Sequence, residues 1–363
     1  MSGHQSGAVE SAFWRDRRVL LTGHTGFKGS WLALWLQTLG AQVTGFSLGV
    51  PTRPSLYELA RVGEGMQNIE GDVRDSRVLA AAVLAARPEI VIHMAAQSLV
   101  RRSFAEPRET YETNVMGTVN LLDALRHSED VRAVVSVTSD KCYENREWEW
   151  GYREHERLGG HDPYSSSKGC AELVTDAFRR SFFSSADAPR VASARAGNVI
   201  GGGDWGEDRL IPDIMRGALS GRPIHVRNPG SVRPWQHVLN PLSGYLVLAQ
   251  ALWDSDEFAR AWNFGPAEED AQSVRLILEQ ISALWPTELQ WVEDSGPHPH
   301  EARYLKVDSS RARLHLGWRP RWELGEALEA VVGWYRAALS GDEDVRALTV
   351  SQIQAYRYAA VLA

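Results

Sequence analysis

Arg17-Arg18-Val19-Leu20-Leu21-Thr22-Gly23-His24-Thr25-Gly26-Phe27-Lys28-Gly29 is the stretch that decides the fold. Its first half is a short apolar run, as a strand buried on both faces requires. Its second half spaces three glycines as G-x-x-G-x-x-G. That pattern serves a tight turn, close approach of backbone to a pyrophosphate, and close packing of helix on strand. A helix over about Ser30 to Leu39 follows, with Gly40 as its C-terminal stop. Its N-terminal amides face whatever phosphate is held there. Strand, turn and helix together predict a dinucleotide site contacted by Gly23, Thr25, Gly26, Phe27 and Gly29.

The alternation continues outward from this unit. Strands are expected at Gln42–Ser47, Met66–Glu70, Glu89–Met94 and Val131–Val137, separated by helices such as Ser76–Ala86. The fold class is therefore α/β, a Rossmann-type doubly wound parallel sheet. Asp72 and Val73 follow the third strand, where Asp72 would accept from an adenine amino group. Ala95, Ala96 and Gln97 follow the fourth; the two alanines are small enough for a cofactor to lie against the backbone. The second strand should end in an acid for the adenosine ribose, about 20 residues past the glycines. Phe46-Ser47-Leu48 stands there instead, with Arg53 beyond it, so the residues alone leave NAD and NADP both open.

Composition narrows the class of protein. A length of 363 residues points to two domains, or one domain with a lobe. The net charge of −7 argues against general affinity for nucleic acid or anionic membranes. An anionic ligand must then be gripped by a local cluster of arginines and amides. Two cysteines, Cys142 and Cys170, make no disulfide framework, which fits a reducing cytosol and a cytoplasmic protein. The polar start, Met1 to Ser11, lacks a signal peptide's apolar core, and no run approaches the roughly 20 apolar residues of a membrane span. The eleven histidines show no metal-ligand spacing, His298-Pro299-His300 reads as a loop, and no metal site is expected. The 14 tryptophans are expected to pack internally.

The chemistry lies between Thr138 and Lys168. The strand ending at Val137 delivers Thr138, Asp140 and Lys141 to the sheet edge where α/β proteins bind ligands. Tyr164 and Lys168, four apart at the start of the next helix, share one face. A free phenol has a pKa of about 10, and bringing it to about 7 takes roughly 4 kcal/mol. A fixed ammonium, a nicotinamide cation and a desolvated pocket together could supply that.

These residues resemble the extended short-chain dehydrogenase/reductase family that acts on nucleotide sugars. The signatures are Thr22 to Gly29, His93-Met94-Ala95-Ala96-Gln97, Asn114, and Tyr164 with Lys168, and the likeness spans roughly Arg15 to Tyr335. Four further stretches resemble the branch of 4,6-dehydratases acting on CDP-glucose: Thr138 to Asn145, Trp148 to Glu154, Gly159 to Tyr164, and Arg195 to Trp205. Dehydratases for dTDP-glucose carry Asp-Glu where this chain has Asp140-Lys141. The resemblance implies tightly held NAD contacted also by Asn114, Tyr164 and Lys168, a homodimer built through helices beside the cofactor domain, and a nucleotide-diphosphate sugar as substrate. It further implies that Tyr164 takes the C4 hydroxyl proton and that Thr138 hydrogen-bonds the C4 oxygen. Asp140 would protonate the departing C6 hydroxyl, and Lys141 would remove the C5 proton.

After Asn198 the alternation gives way to a stretch rich in Arg, Trp and Pro. Planar guanidinium groups grip a diphosphate bidentately. By resemblance, Asn198, Arg233 and Arg303 are the expected contacts, with Arg209 and Tyr304 beside them. A helix over 237–253 and a strand over 261–265 return to the sheet. Residues 14–200 and 237–265 are thus expected to form the cofactor domain, and 201–236 and 266–345 a smaller, discontinuous substrate domain. A peripheral helix is expected after Ser340. Alternatives left open are an epimerase of the same family, a dehydratase for another nucleotide hexose, and a non-catalytic NAD-binding protein.

Overall fold

The computed structural model describes residues 7–294, 296, 302–341 and 343–359. His298-Pro299-His300 and the first six residues of the polar N-terminal stretch lie outside them. Seven parallel strands form one sheet: β1 (Arg18–Thr22), β2 (Gln42–Ser47), β3 (Gln67–Glu70), β4 (Ile90–His93), β5 (Ala133–Val137), β6 (Arg190–Arg195) and β7 (Ala261–Asn263). Their spatial order is β7-β6-β5-β4-β1-β2-β3. The order reverses between β1 and β4, which opens a crevice at the carboxyl ends of those strands. β5 is buried at all five positions, as a strand covered on both faces must be.

Helix α1 (Phe27–Thr38) starts three residues earlier than its hydrophobic pattern suggests, directly from Gly26. It buries Trp31 and Trp35 completely, and Trp14, Trp262, Trp318 and Trp334 are buried elsewhere, whereas Trp150 is exposed. Helices α2 (Ser76–Ala86), α3 (Gly117–Leu125) and α4 (Pro163–Ser181) lie along the chain between the strands, and α5 (Leu239–Asp254) leads from β6 toward β7. β6 was not anticipated from sequence: Arg190 and Arg195 bracket it, and its centre, Val191-Ala192-Ser193-Ala194, is short and small. Beyond Asn198 β7 rejoins the long sheet, and the described residues add three two-stranded pairings, the first joining Val199–Ile200 to Gln236–His237. The last helix, Val345–Tyr358, is not peripheral. Its Ile353 and Tyr356 are buried, Tyr356 meets Trp35 edge-on, and Thr349 accepts from the Trp334 indole at 3.0 Å.

Candidate active site

The glycine turn builds the cofactor end of the site. Gly23 has φ 77°, and a Cβ there would lie 2.7 Å from the Ala95 amide nitrogen. A Cβ on Gly29 would lie 2.1 Å from the Gly23 carbonyl oxygen, so only glycine lets α1 approach the turn. No side chain caps α1, so its N-terminus is open to an anion along the cleft. Gly23, Thr25, Gly26, Phe27, Gly29, Asp72, Val73, Ala95, Ala96 and Gln97 all line one cleft of about 1480 Å³. A bound dinucleotide fits that floor.

Two expected cofactor residues have their side chains already engaged. Asn114 sits in a single π-helical turn (Glu112–Met116), accepts from the Gln97 amide at 2.8 Å, and donates to the Gln97 carbonyl and to Ser167 Oγ. It clamps the loop after β4 onto α4, so it positions the site through its neighbours. Asp72 is held by Arg74 through contacts of 2.6 and 2.8 Å, which keep its carboxyl below the usual range. At the end of β2, Ser47 bonds Thr25 Oγ1 at 2.6 Å where an acid was sought. Arg53 is exposed and faces Glu58.

Helix α4 begins where it does because Asp162 caps it, accepting from the Ser165 amide at 2.9 Å, with Pro163 at the first position. This cap sets Tyr164 in the first turn and Lys168 one turn on, both buried. Burial lifts the Tyr164 phenol to about 12, opposed by the Ser139 hydroxyl beside it; Asp140 lifts it further and Arg209 lowers it. Burial lowers Lys168 to about 8, and its opposing charge is Glu172, one turn further along α4. The expected help of a desolvated pocket in lowering the phenol is therefore corrected: burial raises it, so the lowering must come from neighbouring positive charge. Moving a phenol from about 12 to about 7 takes roughly 7 kcal/mol.

Thr138 is placed differently from its expected role. Its hydroxyl donates to Glu172 Oε1 at 2.5 Å, toward the interior. Glu172 Oε2 accepts from Ser193 Oγ at 2.7 Å and from Arg195 Nη2 at 2.6 Å. Burial works to raise the Glu172 carboxyl, but the Arg195 guanidinium and the two hydroxyls override it and hold it low. A sugar hydroxyl can thus meet only the lone pairs of Thr138. The hydroxyl beside Tyr164 is that of Ser139, which also donates to Asp140 Oδ1 at 3.0 Å and accepts from the Lys141 amide at 3.2 Å.

Asp140 is 1% exposed. Burial raises its carboxyl, with Lys141, Ser139 and Arg233 opposing. Its Oδ2 is buried without a protein partner, as suits an acid aimed at a ligand. Lys141 lines the same cleft.

Of the expected substrate contacts, Asn198, Arg209 and Arg233 line the cleft. Asn198 has φ 46° and a buried, unpartnered Nδ2. Arg209 grips Asp204 through both carboxylate oxygens at 3.1 Å and donates to Ser98 Oγ at 2.9 Å, which brings it near Tyr164. Arg233 donates to the Val232 and Ala302 carbonyls. Arg303 is exposed and, like Tyr304, lies outside the lining of the cleft; its amide donates to Glu147. Sequence reasoning missed Ser139, Glu172 and Lys28. Lys28 Nζ donates to the buried Tyr245 hydroxyl at 3.0 Å, and desolvation, Lys168 and Arg209 lower its pKa to about 7. Its place inside the glycine turn was the available signal. Among the described residues no group of side chains is arranged to hold a metal, and no helix is long and apolar enough to cross a membrane.

Residues 19–265 match the model of the NAD dependent epimerase/dehydratase family. The chain is 54% identical over 340 residues to a CDP-glucose 4,6-dehydratase of Salmonella typhimurium, covering 92% of this chain and 95% of that protein. It is 31% identical to a dTDP-glucose 4,6-dehydratase of Streptomyces griseus, covering 87% and 93% of the two chains. Among solved structures it resembles MoeE5 in complex with UDP-glucuronic acid and NAD, with a TM-score of 0.74, 25% identity and coverage of 88% and 98%.

Proposed function

The chain belongs to the NAD dependent epimerase/dehydratase family, and we propose that within it the protein converts CDP-D-glucose to CDP-4-keto-6-deoxy-D-glucose, as a lyase. When bound, NAD supplies the hydride acceptor for C4 and the donor for C6. Everything else falls to side chains. Tyr164 takes the C4 hydroxyl proton, and oxidation at C4 makes the C5 hydrogen acidic as a proton α to a carbonyl. Lys141 removes it. Asp140, whose carboxyl burial biases toward the protonated form, gives its proton to the departing C6 hydroxyl, and water leaves. Lys168 and Arg209 supply positive charge around the phenol. Asn198, Arg209 and Arg233 are the diphosphate contacts.

The observation that carries this reading is Asp140. An epimerase needs the tyrosine and lysine but has no water to expel, and so no use for a buried carboxyl in the same cleft whose burial favours its protonated form. The 54% identity to a cytidine-nucleotide enzyme favours CDP-glucose over other nucleotide hexoses. Incubation with CDP-, dTDP-, UDP- and GDP-glucose, read by the alkaline absorbance of a 4-keto-6-deoxy sugar, tests both points. Product from CDP-glucose is expected. Isomerised sugar with its 6-hydroxyl intact would favour an epimerase.

The protein works in the cytoplasm as a homodimer in this reading. Tyr111, Met116, Leu173 and Phe182 are large apolar residues left exposed on the segments around α3 and α4. Light scattering giving twice the monomer mass of 40.4 kDa would bear that out.

A further inference from the structure

The dehydratase reading turns on Asp140, and the place of Asp140 depends on what lies beneath it. Val137, at the end of β5, pairs with Ala194 in β6. Asp140 and Gly197 each lie three residues further on, so the turns leaving the two neighbouring strands carry them side by side. Both line the cleft. A Cβ on Gly197 would lie 1.8 Å from Asp140 Oδ2, 1.9 Å from its Cγ and 2.2 Å from its Oδ1. The carboxyl therefore rests in the space that a side chain at 197 would fill. Gly197 is not among the glycines of positive φ, so its backbone conformation does not demand glycine.

We infer that Gly197 is a positioning residue for the elimination step: the space left by its missing side chain seats the Asp140 carboxyl, and a side chain there would displace the acid while sparing oxidation at C4. This inference rests on the dehydratase reading.

The floor of the seat is held more firmly than the group above it. Gln236, 1% exposed, donates from Nε2 to the Gly197 carbonyl at 3.3 Å and to the Phe264 carbonyl at 2.9 Å. Its own amide donates to the Asn198 carbonyl at 3.2 Å. Asp140 needs only a rotamer change to move, giving up the 3.0 Å bond from Ser139 Oγ. An alanine Cβ would drive Oδ2 from 1.8 Å to at least 3.0 Å. A displacement of about 1 Å at a reacting group can cost about a hundredfold in rate. The three atoms nearest to that Cβ all belong to Asp140, whereas Tyr164 and Lys168 stand on α4, so C4 oxidation keeps its machinery.

The test is Gly197→Ala in the NAD-loaded full chain. Stopped-flow absorbance follows the first reduction of bound NAD after CDP-glucose is added, and alkaline absorbance follows the 4-keto-6-deoxy sugar. Reduction should stay within a few fold of wild type, while product formation falls about a hundredfold. Asp140→Ala empties the seat, so adding Gly197→Ala to it should lower product by less than about threefold more, as residues in contact are not additive. Where Gly197→Ala alone does not fold, urea midpoints make the same comparison, and Asp140→Ala should restore folding. Equal losses in reduction and product, equal cost in both backgrounds, wild-type product from Gly197→Ala, or a double variant that also fails to fold each overturn the role of Gly197. All four leave the dehydratase reading standing. A wild-type enzyme that makes no 4-keto-6-deoxy sugar overturns both.

Discussion

Replacing Asp140 by asparagine separates elimination from the steps before it. Asparagine has nearly the same shape, and its carbonyl oxygen can keep the 3.0 Å bond from Ser139 Oγ. Its amide nitrogen would occupy the place of Oδ2, which has no protein partner to lose. The fold should therefore survive, while the transferable proton disappears. A positioned general acid contributes about a hundred- to ten-thousand-fold, or roughly 3 to 5 kcal/mol of barrier. Product formation from CDP-glucose should fall by that factor. Removal of the C5 proton needs the C4 ketone and a base but not the acid, so exchange of C5 hydrogen with deuterated water should be much less affected. Proton NMR of recovered CDP-glucose reads the exchange, and alkaline absorbance reads the product. If exchange falls in parallel with product, Asp140 acts before elimination and its role as leaving-group acid is wrong.

Other substitutions probe separate parts of the account. Lys141→Met keeps much of the side-chain stem and removes the amine, so C5 exchange and product should fall together by about a hundred- to ten-thousand-fold; unchanged exchange puts the base elsewhere. Glu172→Gln breaks the buried 2.6 Å pair and strands Arg195, which should cost about 3–5 kcal/mol and appear as a lower midpoint in urea. Asp270 titrates near 6 because of burial and then its acidic neighbours, above its ordinary 3.8. Between those values the folded chain holds more proton than the unfolded one, so this residue's contribution is lost as pH rises through about 6. Asp270→Asn, which can still accept from the Leu324 amide, should raise Tm at pH 7.5 and not at pH 4. Allowing for solvent screening, the gain is about 1 kcal/mol, or roughly 2 °C.

How much of this was legible beforehand depends on what each residue's neighbours do. The strand ending at Val137 announced itself through its Val-rich run, as a strand buried on both faces requires, and Gln42 to Ser47 through its place after the first helix and Gly40. β6 did not, since its polar ends are satisfied by partners distant in sequence: Arg195 by Glu172 and Arg190 by the carbonyls of Leu252 and Trp253. The Tyr164–Lys168 pair was legible from spacing on a capped helix. Which of the adjacent hydroxyls, Thr138 or Ser139, faces the phenol was not, because it turns on Glu172 drawing Thr138 inward. The docking of the last helix on Trp35 was hidden for a similar reason, as its apolar positions are sparse and Trp35 lies over 300 residues from Tyr356.

The most direct test of the central claim follows one hydrogen. CDP-glucose carrying deuterium at C4 is turned over with an excess of unlabelled substrate, and the product is examined by mass spectrometry and proton NMR. A 4,6-dehydratase moves that deuterium to C6 of the same sugar, so singly labelled methyl groups should appear and C4 should be a ketone. Deuterium retained at C4 beside an intact 6-hydroxyl, or lost to solvent, would contradict the account.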